Sequence, residues 1–282
     1  MRRTSNMRRL AWATDIHLNF VRGDVRSFCE QLRSVSPDGL VITGDVSEAP
    51  TLTRHLRALD QALWMPTWIV LGNHDFYGSS FRAVRAEVTN LCRNSKCLRY
   101  LPGEGVVWLG GEVAMVGHDG WADGRMGDFE HSQVLLNDYF MIDDLAGLDV
   151  KKRLEKLHKL GDEAAIYFRR LLPQALDRYR NVIVATHVPP FREACLHEGM
   201  AADDEHLPHF SCAVLGDALG AVMRARPEQH MLVLCGHTHS RGEARPLPNL
   251  LCKTGGATYG QPSLAEVIDM QGFEAMFSVK GY

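Results

Sequence analysis

Short apolar runs alternate with stretches of helical periodicity along the first hundred residues. Leu10–Ala13, Leu40–Thr43 and Trp68–Leu71 carry no charge and are too short for helices, which predicts strands buried on both faces. Asp24–Val35 puts Phe28, Leu32 and Val35 on one helical face behind Asp24 as N-cap, and a second helix is predicted near Leu52–Leu63. Strand–helix–strand–helix–strand is the signature of a parallel sheet, whose ligands gather beyond the strand carboxyl ends. A third helix is predicted over Phe81–Arg93. Val106–Leu109 and Val113–Val116 then flank Gly110-Gly111 as a hairpin.

The theme returns in the second half, with strands at Val182–Ala185 and Met231–Leu234, and Glu243–Val279 reads as several antiparallel strands. The economical architecture is α/β: a two-sheet β-sandwich flanked by helices, in a single domain over residues 1–282. An insertion is expected over about 119–176. Its later part, Lys151–Leu176, repeats Leu154, Leu157, Ala164, Ala165, Phe168, Leu171 and Leu172 at helical spacing, with the charges on an exposed face. Its earlier part, Asp119–Asp128, reads as an irregular loop of the kind that carries substrate contacts.

Composition narrows the function classes. The 282 residues are 45% hydrophobic and 23% charged, with a net charge of −3, so no global field favours nucleic acid or an anionic membrane. Arg2, Arg3, Arg8 and Arg9 make a basic leader that reads as a solvated, frayed end. No apolar run reaches the roughly 20 residues of a membrane span, and the N-terminus lacks the apolar stretch of a secretory signal. Seven cysteines without a C-x-x-C pair point to reduced thiols and a cytoplasmic protein, with Cys235 and Cys252 as small core residues.

Five polar clusters stand where predicted strands give way to loops: Asp15-Ile16-His17, Gly44-Asp45, Gly72-Asn73-His74-Asp75, Thr186-His187 and Gly236-His237-Thr238-His239. Carboxylates, imidazoles and one amide oxygen are donors for hard or borderline divalent metals. In chain order these clusters resemble the calcineurin-like metallophosphoesterase superfamily, with its D-x-H, G-D, G-N-H-D/E, lone His and G-H-x-H motifs spread from residue 15 to 239. The resemblance implies that Asp15, His17, Asp45 and His239 hold one metal. Asp45, Asn73, His187 and His237 would hold the other, with Asp45 as the bridge. It further implies phosphate ester hydrolysis by a hydroxide between the metals, with His74 facing the leaving group and Asp75 orienting its imidazole. The mixed nitrogen and oxygen donors suit Mn, Fe or Zn, divalent or trivalent, better than Ca or Mg.

Departures from the superfamily narrow the substrate. Gly44-Asp45-Val46-Ser47-Glu48-Ala49-Pro50 lacks the Arg-Gly that follows the acidic residue in its protein phosphatases. No basic, aromatic-interleaved region follows His239, which disfavours nucleic acid. A small phosphorylated substrate is expected, a phosphomonoester or phosphodiester, with nucleotides and cyclic nucleotides included. The alternatives are a catalytically silent metal-bound scaffold that binds protein, or a nuclease. Ester preference is expected to be set by Asp119–Asp128, Val188–His209 and Gly255–Tyr259. His118 reads as a hydrogen-bonded structural residue, and His197, His206 and His209 with Asp203, Asp204 and Glu205 as a solvated loop or a rim over the site. Metal identity and oligomeric state leave no mark in the sequence.

Overall fold

The computed structural model describes residues 6–22 and 25–278. The Asp24 cap, Arg2, Arg3 and Val279 lie outside the described residues. Arg8 and Arg9 are not part of a frayed leader: their backbone N–H groups both donate to Asp38 Oδ2, at 2.8 and 2.9 Å, and Arg9 opens the first strand.

The first half supplies β1 (Arg9–Ala13), α1 (Arg26–Val35), β2 (Gly39–Thr43), α2 (Ala49–Ala62), β3 (Thr67–Val70), α3 (Phe81–Arg93) and β4 (Leu98–Tyr100), followed by the hairpin β5 (Val107–Gly110) and β6 (Val113–Gly117). The second half supplies α4 (Asp138–Met141), α5 (Val150–Leu176), β7 (Asn181–Ala185), β8 (Leu196–His197), β9 (Met200–Ala201), α6 (Leu207–Phe210), α7 (Ala213–Arg224), β10 (His230–Cys235), β11 (Gly242–Leu247), β12 (Leu250–Thr254) and β13 (Leu264–Asp269).

Two sheets result. The first has the order β13-β1-β2-β3-β4, parallel except for β13; the second has the order β11-β12-β10-β7-β6-β5, parallel except for the edges β11 and β5. Alternation along β1 shows how they stack. Leu10 and Trp12 enter the layer shared with Met115, Ile183, Leu232 and Leu234 of the other sheet, whereas Ala11 and Ala13 face the helices. Both faces of each inner strand are therefore buried, which is why these strands read as continuous apolar runs rather than alternating ones. Phe28, Leu52, Leu56, Val84 and Val88 of α1–α3 cover the outside of the first sheet. Phe168, Leu172, Leu215 and Leu219 of α5 and α7 cover the second.

Register brings the site together. Ala13 pairs with Ile42, and Thr43 with Val70, so β1, β2 and β3 end level; Leu234 pairs with Ala185, so β7 and β10 do the same. All five polar clusters follow these five ends.

Two expectations need correction. The segment 119–176 is no appendage: it connects β6 to β7, which are parallel neighbours and so require a crossover, and α5 is that crossover. The early part of α5 adds Leu157 and Leu160 to the first sheet's core while its later part packs on the second. The chain after Glu243 is also not one antiparallel group. β12 lies parallel to β10, β13 joins the other sheet beside β1, and Phe273–Phe277 is a short 3-10 turn. Period-2 patterning reports which face is buried, not which strand lies alongside. Among the described residues, no helix is long and apolar enough to cross a membrane.

Candidate metal centre

Non-glycine residues with left-handed backbone are rare, and each such position costs of order 1–3 kcal/mol. The described residues include seven: Asp15, His17, Ser36, Asp45, Glu198, His237 and His239. Five of these belong to the strand-end clusters, and Glu198 lines the cleft above them. The chain thus concentrates its backbone strain where turns of unusual tightness aim polar side chains inward. Two glycines allow the same crowding. A Cβ on Gly72 would collide with the Asp45 carboxylate, and one on Gly44, whose φ is +97°, would collide with the His187 ring.

Asp15, His17, Asp45 and His239 bring four donor atoms within 4.8 Å of one another. His17 Nε2 lies 3.0 Å from His239 Nε2 and 3.7 Å from Asp45 Oδ2, while His239 Nε2 lies 3.5 Å from Asp15 Oδ1. On the other side of Asp45, Asn73 Oδ1 stands 3.1 Å from His187 Nε2 and 3.0 Å from His237 Nδ1, and His187 Nε2 stands 3.5 Å from Asp45 Oδ1. Each carboxylate oxygen of Asp45 thus faces a different group of donors. The structure thus brings all seven of these side chains together, on the two sides of the Asp45 carboxylate.

Outer hydrogen bonds fix which atom points inward. His187 Nδ1 donates to Thr43 O at 2.8 Å, and His237 Nε2 donates to His209 O at 3.1 Å. A carbonyl only accepts, so the remaining ring nitrogen of each histidine carries a lone pair toward the centre. Asn73 is oriented in the same way. Its amide nitrogen donates to Asp138 Oδ1 at 2.8 Å and to Tyr77 OH at 3.2 Å, and Tyr77 OH donates to Asp138 Oδ1 at 2.6 Å. Asn73 thus turns its nitrogen to the accepting oxygen of Asp138 and its own oxygen inward, toward His187 and His237. Replacing Asp138 by Ala is expected to weaken metal binding about 10- to 100-fold, measured by titrating the protein with Mn against a competing chelator. Affinity within twofold of wild type would remove Asp138 from this role.

Electrostatics fit a cationic guest. Burial lowers the pKa of His17 to about 3 and, together with His187, that of His237 to about 4, leaving neutral imidazoles. Burial alone would raise Asp15, but its bond to His239 and the surrounding imidazoles hold it well below the usual carboxylate range. Burial, then Asp15 and Asp75, push Asp45 well above that range. Free lone pairs beside a carboxylate that its surroundings penalise are what bound cations would relieve.

Other expected site residues are placed differently. His74 reaches the centre, with Nε2 4.0 Å from Asp45 Oδ2. Asp75 does not orient it. The Asp75 carboxylate accepts from Ser47 N–H and Gly72 N–H, both at 2.9 Å, and so braces the two ligand loops, while His74 Nδ1 is buried without a hydrogen-bond partner. The adjacent position in sequence turns the carboxylate away from the ring. Packing orients the imidazole instead, with Tyr77 4.4 Å and His17 4.7 Å away between ring centroids.

None of the Asp119–Asp128 loop is among the residues that line the cleft. Trp121 packs against Phe81, and Asp119 accepts from Leu71 N–H, Tyr100 OH and Arg85 Nε–H. Leu136, Asn137 and Asp138, farther along, line the cleft. His118 is structural as expected, with Nδ1 accepting from Gly120 N–H at 3.1 Å. His209 is buried against Tyr139 and Ser132, whereas His197 lines the cleft and stacks on His206. Asp138, Tyr77 and the His209 carbonyl escaped the sequence reading. The sole hint was Asn137-Asp138 breaking an apolar run.

Solved structures share this architecture. A phosphopantetheinyl hydrolase from Mycobacterium tuberculosis superposes with a TM-score of 0.63 at 17% identity, covering 89% of this chain and 89% of that one. A dimetal phosphatase from Danio rerio gives 0.57 at 13% identity, covering 94% and 93%. At these identities the likeness shows the fold alone. No curated protein matches the chain in sequence. The calcineurin-like phosphoesterase family profile matches residues 8–241, a span that takes in every strand end around Asp45, and the chain belongs to that family.

Proposed function

We propose that the chain is a dinuclear metal-dependent phosphoesterase that hydrolyses a small phosphomonoester or phosphodiester, nucleotides and cyclic nucleotides among the candidates. The observation that supports this most is the division of donors about Asp45: His17 faces one of its oxygens and His187 the other. Asp15, His17, Asp45 and His239 would hold one ion of Mn, Fe or Zn, and Asp45, Asn73, His187 and His237 the second. A cation pair so held would supply Lewis acidity to phosphoryl oxygens and lower the pKa of bound water.

The chain's own residues do the rest. Asp45, with the turns around it, would set the spacing of the pair. His187 and His237, held by backbone carbonyls, present lone pairs without reorganisation, which is electrostatic preorganisation. His74 stands on the open side, 14% exposed, where its Nε2 can donate to a departing oxygen. Among the described residues the seven cysteines are buried and none is joined in a disulfide, which supports a reducing, cytoplasmic setting.

Hydrolysis of nitrophenyl phosphate and bis-nitrophenyl phosphate is expected to vanish after chelation and to return with added Mn. The ratio of the two rates reports the monoester or diester preference. No turnover on either ester, with two metals per chain counted by elemental analysis, would overturn the hydrolase reading in favour of a scaffold.

A further inference from the structure

The cleft over the centre, about 350 Å³, is bounded by aromatic rings that touch the ligands themselves. On one side Tyr259 lies 4.6 Å from the His17 ring and 4.9 Å from that of His239, and Phe20 lies 4.8 Å from Tyr259. Both rings are 47% exposed, although each sits within a packed cluster of aromatics. On the other side Phe210 lies 5.4 Å from His237 and 5.3 Å from His197. Each donor group thus carries its own aromatic wall, and the space between them opens onto the centre.

Charge in the same cleft has one sign. No Lys or Arg is among the described residues that line it; its carboxylates are Asp138, engaged by Asn73 and Tyr77, and Glu198. Beyond the cations that Asp45 and its neighbours would hold, nothing here would compensate a second phosphate, and Glu198 would repel it. An uncharged planar ring, by contrast, would meet Tyr259, which Phe20 backs, and Phe210 in offset or edge-on contact.

We infer that this site selects esters of a single phosphate whose organic group carries an uncharged planar ring, gripped by Tyr259 and Phe210, and that it discriminates against substrates bearing a second phosphate. The inference rests on the phosphoesterase reading for its chemistry, but its binding content stands apart from turnover.

Two measurements on the Mn-loaded protein test it. The first is the calorimetric Kd of benzylphosphonate against cyclohexylmethylphosphonate, which differ in ring planarity and share the phosphorus group. The second is kcat/KM for benzyl phosphate, cyclohexylmethyl phosphate and the bisphosphate of benzene-1,4-dimethanol. Planar rings are expected to win by about 5- to 10-fold in both. The ratio should fall toward one in Tyr259→Ala and persist in Tyr259→Phe, which keeps the ring. The bisphosphate should be at least about tenfold poorer than benzyl phosphate, with the gap narrowing in Glu198→Gln.

Equal binding of the two phosphonates, failure of both to bind, or equal losses on planar and puckered rings in Tyr259→Ala would overturn the inference. Preferential binding of benzylphosphonate with no ester cleaved would leave it standing and overturn the hydrolase reading alone.

Discussion

Asp45→Asn is expected to lower the metal content from two ions per chain to one or none and to reduce kcat/KM at least about 10³-fold, since several kcal/mol of charge stabilisation go with the cations. The substitution keeps the shape and one carbonyl oxygen, so it can still accept the His74 N–H that Asp45 Oδ1 takes at 2.9 Å. It replaces the other oxygen with an amino group that donates where a lone pair is needed. Thermal melts separate this from a folding defect. In wild type, Mn at a hundredfold excess over its dissociation constant should add about 2.7 kcal/mol of stability per site; in the variant that increment should be lost.

Without metal, the comparison should go the other way. Burial and the neighbouring carboxylates of Asp15, Asp75 and Asp138 penalise the Asp45 charge, so its neutral replacement should melt no lower than wild type. Two tightly bound ions in Asp45→Asn, or a metal-free variant that fails to fold, would refute the assignment of Asp45 as the shared ligand.

That test reaches a residue legible from the sequence, and the reason it was legible is instructive. Asp15, Asp45, Asn73, His187 and His237 each follow an apolar run, and the run is apolar because its strand is buried on both faces. A polar residue after such a strand must stand at a carboxyl end, so strand pattern and donor chemistry locate the site together. The two-layer architecture follows from the same runs. What escaped depended on information the pattern lacks. Asp138 comes 65 positions after the asparagine it orients, with no spacing rule to connect them. Helix α7 was obscured because Gly216 and Gly220 interrupt its apolar face; a Cβ on Gly216 would strike the Pro190 carbonyl, so the residue that weakens the helical signal is the one that lets the helix approach. Asp75 misled in the opposite way. Its place beside His74 suggested a pair, yet in the turn Asn73–Phe76 successive side chains diverge, and backbone donors at Ser47 and Gly72 claim the carboxylate.

The absence of a carboxylate on His74 determines what its removal should do. Burial, then the imidazoles of His17, His187 and His239, depress its pKa to about 2, so in the metal-free protein the ring is neutral. With Nδ1 unpartnered and Nε2 toward Asp45, it is held by packing alone. It stands outside both donor groups, so His74→Ala should retain two metals per chain. The loss should instead follow the leaving group. An alkoxide departs only with help, whereas nitrophenolate is already a stable anion. Alkyl phosphates are therefore expected to slow by about 10²- to 10⁴-fold, while nitrophenyl phosphate slows far less. A series of esters that spans leaving-group pKa, assayed in both proteins, reads this as a steeper dependence in the variant. An equal loss across the series would mean that His74 shapes the pocket rather than assisting departure, and loss of a metal would place it among the ligands. Asp75→Asn is the control for the corrected role. It should perturb the loops at Ser47 and Gly72, changing metal affinity and melting temperature together, and leave the leaving-group slope as in wild type.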